Sequence, residues 1–255
     1  MISIIIPVFN EAETIGSLLQ HLTTNSTATN IVDITVVDGG STDDTEAIVS
    51  KFISSNNVEN AVPKVIPLDT DFLKRNLAQT RINLIRSEKG RAKQMNSGAK
   101  YAKGTILYFL HADSFPPQNF DQLIINEVKN GQKAGCFRMQ FDSNHWWLKT
   151  AGWLTQFHWR ACRGGDQSQF LTKDLFDEIG GYNESYIIYE DNMLINELYA
   201  RNQFSVINKK LTTSARLYRK HGIWKLQYHF WTIYVKKWFG ASADELLAYY
   251  KKYVC

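Results

Sequence analysis

Ile2-Ser3-Ile4-Ile5-Ile6-Pro7-Val8-Phe9-Asn10-Glu11 opens the chain. Ile34-Thr35-Val36-Val37-Asp38-Gly39-Gly40-Ser41-Thr42-Asp43-Asp44-Thr45 follows after a helical pattern. Each stretch is a short apolar run that ends in polar residues. Two such strands with a helix between them describe a βαβ unit. In open α/β sheets, ligands sit beyond the carboxyl ends of the strands. Both polar clusters fall on that edge, so the chain begins with a binding site.

The second cluster is the sharper of the two. Gly39 and Gly40 let the backbone turn tightly and approach a ligand. Ser41 or Thr42 can cap the next helix, and Asp43, Asp44 and Glu46 suit its first turn. Asp38, at the strand tip, is left without a structural task in this reading. Its carboxylate can accept hydrogen bonds from a base N–H or a ribose hydroxyl. Neither a G-x-G-x-x-G dinucleotide fingerprint nor a G-x-x-x-x-G-K-[ST] phosphate loop occurs.

Further along, Thr42 to Ser54 reads as a helix, Ile82 to Ile85 as a strand and Gly90 to Ala102 as a helix. Thr105 to Leu110 is a continuous apolar strand, as expected at the buried centre of a parallel sheet. His111-Ala112-Asp113 stands at its tip. A helix over Phe120 to Lys129 and a strand over Ala134 to Phe141 come next. Gly164-Gly165-Asp166-Gln167 precedes a strand at Phe170-Leu171 and a helix that ends at Gly180-Gly181. Glu190-Asp191 opens a helix through Leu198. The stretch 56–80 reads as an insertion.

These motifs, in this order, resemble family 2 glycosyltransferases. The resemblance rests on Ser3 to Glu11, Val36 to Thr45, Arg91-Ala92-Lys93-Gln94-Met95-Asn96, His111-Ala112-Asp113, Gly164 to Gln167 and Glu190-Asp191. It implies an inverting enzyme of the GT-A fold: an α/β domain whose mostly parallel central sheet is flanked by helices. Residues 1–220 would form that domain, with 1–115 as the nucleotide-binding half and 116–220 as the acceptor half. The stretch 221–255 would be an aromatic, basic helical tail.

The resemblance also implies roles. Pro7, Phe9, Glu11, Asp38, Arg91, Asn96, His111 and Ala112 would contact a nucleoside-diphosphate sugar, a UDP-sugar being favoured. Lys93 and Gln94 are weaker candidates beside them. Asp113 would hold Mg²⁺ or Mn²⁺, since hard cations take oxygen ligands and typically use one or two carboxylates plus substrate phosphates. The family commonly has Asp-x-Asp here. His111 stands where the ribose-contacting Asp would be, so the ribose contact is in question more than the metal. Asp191 would be the general base, with Glu190 as the alternative. Asp166 and Gln167 would meet the sugar or the acceptor. Two other readings stand beside this one: a non-catalytic nucleotide-sugar-binding protein, and a nucleotidyltransferase. The latter is expected to carry a Gly-rich loop and a basic residue after its first strand, whereas this chain has Pro7 to Glu11.

Length and composition agree with one large α/β domain or two small ones: 255 residues, 44% hydrophobic and 21% charged. A net charge of +4 does not indicate a nucleic-acid binder. Cys136, Cys162 and Cys255 have no metal-type spacing and are odd in number, which predicts reduced thiols and a cytoplasmic protein. No run of ~18 apolar residues occurs, so no spanning helix is expected. All seven tryptophans lie at or after Trp146, and Trp224 to Trp238 interleaves aromatics with Lys225, Lys236 and Lys237. Two readings of this tail are open. It packs on the domain or on a second copy, or it lies on the inner membrane surface and presents a lipid-linked acceptor. Arg216, Arg219, Lys220 and His221 form a basic stretch just before it, which either closes over a diphosphate or is a solvated surface.

Overall fold

The computed structural model describes residues 1–59 and 80–254, with the side chains of 55–59 outside the described residues. Most of the expected insertion at 56–80, and Cys255, therefore lie outside them as well. Strand β1 (Ile2–Val8) is buried along its whole length. Its side chains alternate between two apolar layers, as strand geometry requires. Ile2, Ile4, Ile6 and Val8 enter one layer, with Leu18, Leu22, Tyr108 and Phe120. Ile5 enters the other, with Val37, Met95, Phe109 and Leu171. A strand covered on both faces has to be apolar throughout, which is why the opening run is so uniform.

Helix α1 (Ile15–Asn25) covers the first layer with Ile15, Leu18, Leu19 and Leu22, one stripe at helical spacing. It leads to β2 (Ile31–Asp38), then α2 (Thr45–Glu59), β3 (Arg81–Arg86), α3 (Arg91–Tyr101) and β4 (Ile106–Phe109). Helix α3 covers the second layer. Gly98 lets it sit against the sheet, because a Cβ there would lie 2.4 Å from Ile5 Cγ2. β3, β2, β1 and β4 are parallel, in that order, and Val8 stands opposite Asp38 as Asp38 does Arg86. The carboxyl ends of these strands therefore share one edge.

The rest of the chain extends the same sheet. It adds β5 (Ser114–Phe115), α4 (Phe120–Lys129), β6 (Ala134–Phe141), α5 (Trp146–Leu154), β7 (Gln169–Thr172), α6 (Lys173–Ile179), α7 (Glu190–Ala200) and β8 (Phe204–Thr213). Strand order is β3-β2-β1-β4-β7-β6-β8-β5. The β4·β7, β7·β6 and β8·β5 pairs are antiparallel and β6·β8 is parallel. The sheet is thus parallel in its first half and mixed in its second.

Helices α8 (Arg216–His221), α9 (Ile223–Trp238) and α10 (Ala243–Tyr253) complete the chain. Ile233 and Leu246 pack with Ile188, and Ala215 packs with Phe141 and Leu148. The tail therefore rests on the domain through one face of α9. Among the described residues, no helix is long and apolar enough to cross a membrane.

Candidate active site

The first two strand tips are tied into one structure. Gly39 N donates to Val8 O at 2.9 Å, Asn10 N to Ser41 Oγ at 2.9 Å, and Thr42 N to Asn10 Oδ1 at 2.8 Å. Asn10 holds φ 56°, a left-handed conformation that Asn tolerates better than most residues. Asp38 is fully buried and accepts from Gly40 N at 2.7 Å, Ser41 N at 2.9 Å and Ser41 Oγ at 2.5 Å. Read as sequence, Asp38 has no structural task; its geometry supplies one, since it builds the glycine turn. Pro7 lies within β1, and Phe9, just past the tip, is 37% exposed with Lys89 Nζ 3.5 Å from its ring centre.

The acidic pair enters from the other side. Tyr189 adopts φ 71° at the N-cap of α7 and so turns Glu190 and Asp191 inward. Arg160 Nη2 fastens this helix to its neighbour by donating to Asn192 O at 3.1 Å and Asn192 Oδ1 at 3.0 Å. The two carboxylates differ. Glu190 is fully buried and meets Arg91 Nε at 2.6 Å. Burial pushes the Glu190 carboxyl above its ordinary range; Arg91 pulls against this and Asp191 adds to it. Asp191 is 6% exposed, and its Oδ2 lies 3.9 Å from His111 Nε2. The second acid of the pair thus faces the tip of β4, while the first is held by Arg91.

Asp113 stands two residues past His111. Its Oδ2 is 3.6 Å from Arg216 Nε, and the same guanidinium grips Glu11 through Nη1 at 2.8 Å and through Nη2. The side chain of Glu11 holds the Arg216 guanidinium more firmly in its charged form. One cation from α8 therefore lies between carboxylates from the ends of β1 and β4. Of the basic stretch 216–221, Arg216 joins the site, whereas Arg219 pairs with Asp142 at 2.9 Å.

Other polar candidates make bonds within the fold. Gln94 is buried, and its Nε2 donates to Val8 O and Val37 O, both at 2.8 Å. It ties two strand ends together under Gly39, whose own Cβ, if present, would meet that amide at 3.0 Å. Asn96 donates to Tyr182 O at 2.9 Å and Glu184 Oε1 at 2.8 Å and accepts from Tyr182 N at 2.9 Å. It thereby secures the turn that follows α6. Lys93 pairs with Glu88 at 2.5 Å. Gln167 is buried and bonds to Cys162 O at 3.0 Å and Arg163 Nη1 at 3.1 Å. Asp166 lies in the short turn Gly165–Gln167, and its side chain is outside the described residues. Ala112 is buried beside Asp113.

A sequence scan for acids and amides passes over Gly165. A Cβ built there would stand 2.0 Å from Asp191 Oδ2 and 2.7 Å from its Cγ. The Gly164-Gly165 loop thus forms a wall against the carboxylate. Gly165→Ala would force the buried Asp191 side chain to shift from Oδ2 back to Cβ, 3.2 Å from the new Cβ, so some loss of stability is expected as well. It should lower kcat for the reaction assigned below by about 10²-fold, the order expected when a catalytic group is displaced by ~1 Å. Steady-state kinetics beside a thermal melt check this; unchanged kcat would remove the wall from the site.

The donor set at Asp113 suits a hard divalent cation. It offers carboxylate oxygens, and the guanidinium lodged between Asp113 and Glu11 marks the spot as one that attracts positive charge. Among the described residues, no group of three or more His, Cys, Asp or Glu gathers to cage an ion. An ion here would draw on Asp113 and on the oxygens of a bound phosphate.

The chain matches the family model described as Glycosyl transferase family 2 over residues 3–183. It is 29% identical over 120 residues to glycosyltransferase AglE of Haloferax volcanii, covering 47% of this chain and 32% of that protein. Among solved structures, S. aureus TarS 1-349 matches at TM-score 0.60 and 18% identity, covering 85% of this chain and 61% of that one. The mannosyltransferase PcManGT of Pyrobaculum calidifontis, in complex with GDP-Man and Mn²⁺, matches at TM-score 0.57 and 16% identity, covering 98% and 63%. The chain therefore spans about a third of the curated relative and about three fifths of these structures. At such identities the structural likeness establishes the fold, which is that of GT-A glycosyltransferases.

Proposed function

We propose, from the premise that the chain belongs to glycosyl transferase family 2, that it transfers a sugar from a nucleoside-diphosphate sugar to an acceptor hydroxyl with inversion. One observation carries this reading. The 3.9 Å approach of His111 Nε2 to Asp191 Oδ2 joins the strand tip bearing Asp113 to the helix bearing the acidic pair. A site for the leaving diphosphate and a site for a base then lie side by side.

Asp191 is the general base. It takes the proton of the acceptor hydroxyl as that oxygen forms its bond to the anomeric carbon. The bond to the diphosphate breaks on the opposite face, and the diphosphate leaves with the electron pair. Glu190 is a positioning residue instead, because its carboxylate is spent on Arg91. The tips of β1 and β2, with Pro7, Phe9, Glu11 and the turn built by Asp38, receive the base and ribose. His111 and Ala112 border the diphosphate, and Arg216 is placed to answer its charge. Mg²⁺ or Mn²⁺ held at Asp113 would supply Lewis-acid stabilisation of that charge. A neighbour solved with UDP-GlcNAc supports a UDP-sugar donor, and one solved with GDP-Man and Mn²⁺ supports a nucleotide sugar together with a divalent metal.

The test is incubation with a panel of UDP-, GDP- and dTDP-sugars and Mn²⁺ or Mg²⁺, with small hydroxylated and lipid-linked acceptors. Release of free nucleoside diphosphate is the expected result. Pyrophosphate would indicate nucleotidyl transfer. Tight donor binding with no product from any acceptor would favour a binding protein.

A further inference from the structure

Helix α9 has two apolar faces; among the described residues one is buried on the domain, and the other, met at its edge by Trp147, is largely exposed. Leu226, His229 and Ile233 are buried on the first. On the other lie Trp224, Tyr228, Trp231, Val235 and Trp238, each three or four residues from the last. They form one stripe at helical period. Their exposures are 50%, 62%, 48%, 48% and 87%. Phe239, 83% exposed, continues the stripe past the helix end. Trp146 of α5, 61% exposed, widens it at the other end, its ring 5.6 Å from that of Trp224. At 1.5 Å per residue the stripe is about 21 Å long. Among the described residues, packing on the domain accounts for the first face and leaves the second largely exposed.

Charge identifies what would cover it. From Ser214 to Ala243 the chain carries Arg216, Arg219, Lys220, Lys225, Lys236 and Lys237, and no Asp or Glu. Arg216 and Arg219 are engaged with acids of the domain. Lys220, Lys225 and Lys236 are exposed along the helical arm. A second copy meeting this face about a two-fold axis would bring cations near cations; the next acids in sequence, Asp244 and Glu245, open α10, where Glu245 already answers Lys236. An anionic lipid surface answers both features. Trp and Tyr favour the headgroup level, and each Lys near an anionic leaflet adds attraction. At 16 residues α9 is short of the ~20 needed to span a bilayer, so it would lie in the interface plane.

We infer that the outer face of α9, tipped by Trp238 and Phe239, docks the protein on an anionic lipid bilayer. This inference is independent of the reaction proposed above. It is tested by pelleting the whole protein with vesicles of phosphatidylcholine and phosphatidylglycerol in equal parts, and with phosphatidylcholine alone, at low and high salt. The protein binds the anionic vesicles at low salt. Partitioning falls by about tenfold or more in phosphatidylcholine alone, at high salt, and in a Lys225→Glu, Lys236→Glu variant. A Trp238→Ser, Phe239→Ser variant loses a similar factor. These side chains are exposed, so melting curves of both variants should match the parent. Absence of pelleting with anionic vesicles at low salt would overturn the inference, as would undiminished binding by both variants. So would a dimer in sedimentation velocity that the Trp238→Ser, Phe239→Ser variant converts to monomer.

Discussion

Asp191→Asn is expected to slow sugar transfer by about 10²–10⁴-fold, the range removed with a positioned general base, while affinity for the nucleoside diphosphate in Mn²⁺ stays within a factor of about two. The amide keeps the volume of the carboxylate, so the contact with Gly165 survives. It cannot take a proton from the acceptor. Asp191 makes its close approaches to His111 and Gly165, residues beside the reacting groups in this proposal, and not to the nucleoside loops at Val8 and Asp38. Transfer kinetics and calorimetric titration with the nucleoside diphosphate measure the two quantities separately. A loss of nucleotide affinity as large as the loss of rate would take Asp191 out of the base role. Glu190→Gln offers a contrast. It removes a charge that Arg91 answers in a fully buried setting, so its effect should include lost stability.

The parts of this site that the sequence disclosed are those set by local chemistry. The apolar runs ending at Val8, Asp38 and Phe109 read directly as buried strands, and their tips do share an edge. The acid pair opening α7 was legible because it begins a helix. Polar residues in the first turns of α3 and in the glycine loop were harder to read. Gln94, Asn96 and Gln167 look alike in sequence, whether they face a ligand or a backbone carbonyl. The partners of Gln94 and Asn96 lie 57 and 86 residues away, and no local pattern announces them. The structural task of Asp38 was missed for the opposite reason. Its partners are two and three residues on, within a turn whose glycines had been assigned to ligand approach.

Strand β8 went unread because Asn208, Lys209 and Lys210 are exposed in its middle and break the alternation. A register shift at Phe137/Arg138 on its neighbour β6 accommodates that break. The aromatic tail was half legible. Its helical spacing predicted a packed face and an interfacial face as rivals. The structure gives one face to packing and leaves the other exposed.

The second large effect should come from Asp113. Asp113→Asn is expected to abolish the stimulation of nucleoside-diphosphate binding by Mn²⁺, while binding measured without metal stays near the parent value. A divalent ion stabilises diphosphate charge by several kcal/mol, and each ~1.4 kcal/mol is tenfold, so the metal-dependent part of the affinity should fall by about 10²-fold or more. Metal-free binding should persist because the loops at β1 and β2 are held by Asp38, Asn10 and Gln94, none of which depends on Asp113. Arg216 sharpens the comparison. It lies between Asp113 and Glu11, so a divalent ion at Asp113 meets a fixed positive charge there unless the guanidinium turns away or a diphosphate arrives to satisfy both. Metal and nucleotide should therefore bind with positive coupling, each tightening the other by one common factor as linkage demands. Titrating Mn²⁺ with and without UDP, and UDP with and without Mn²⁺, yields that factor twice. Asp113→Asn should reduce it to one, whereas Asp191→Asn should leave it unchanged; equal coupling in all three proteins would place the metal elsewhere.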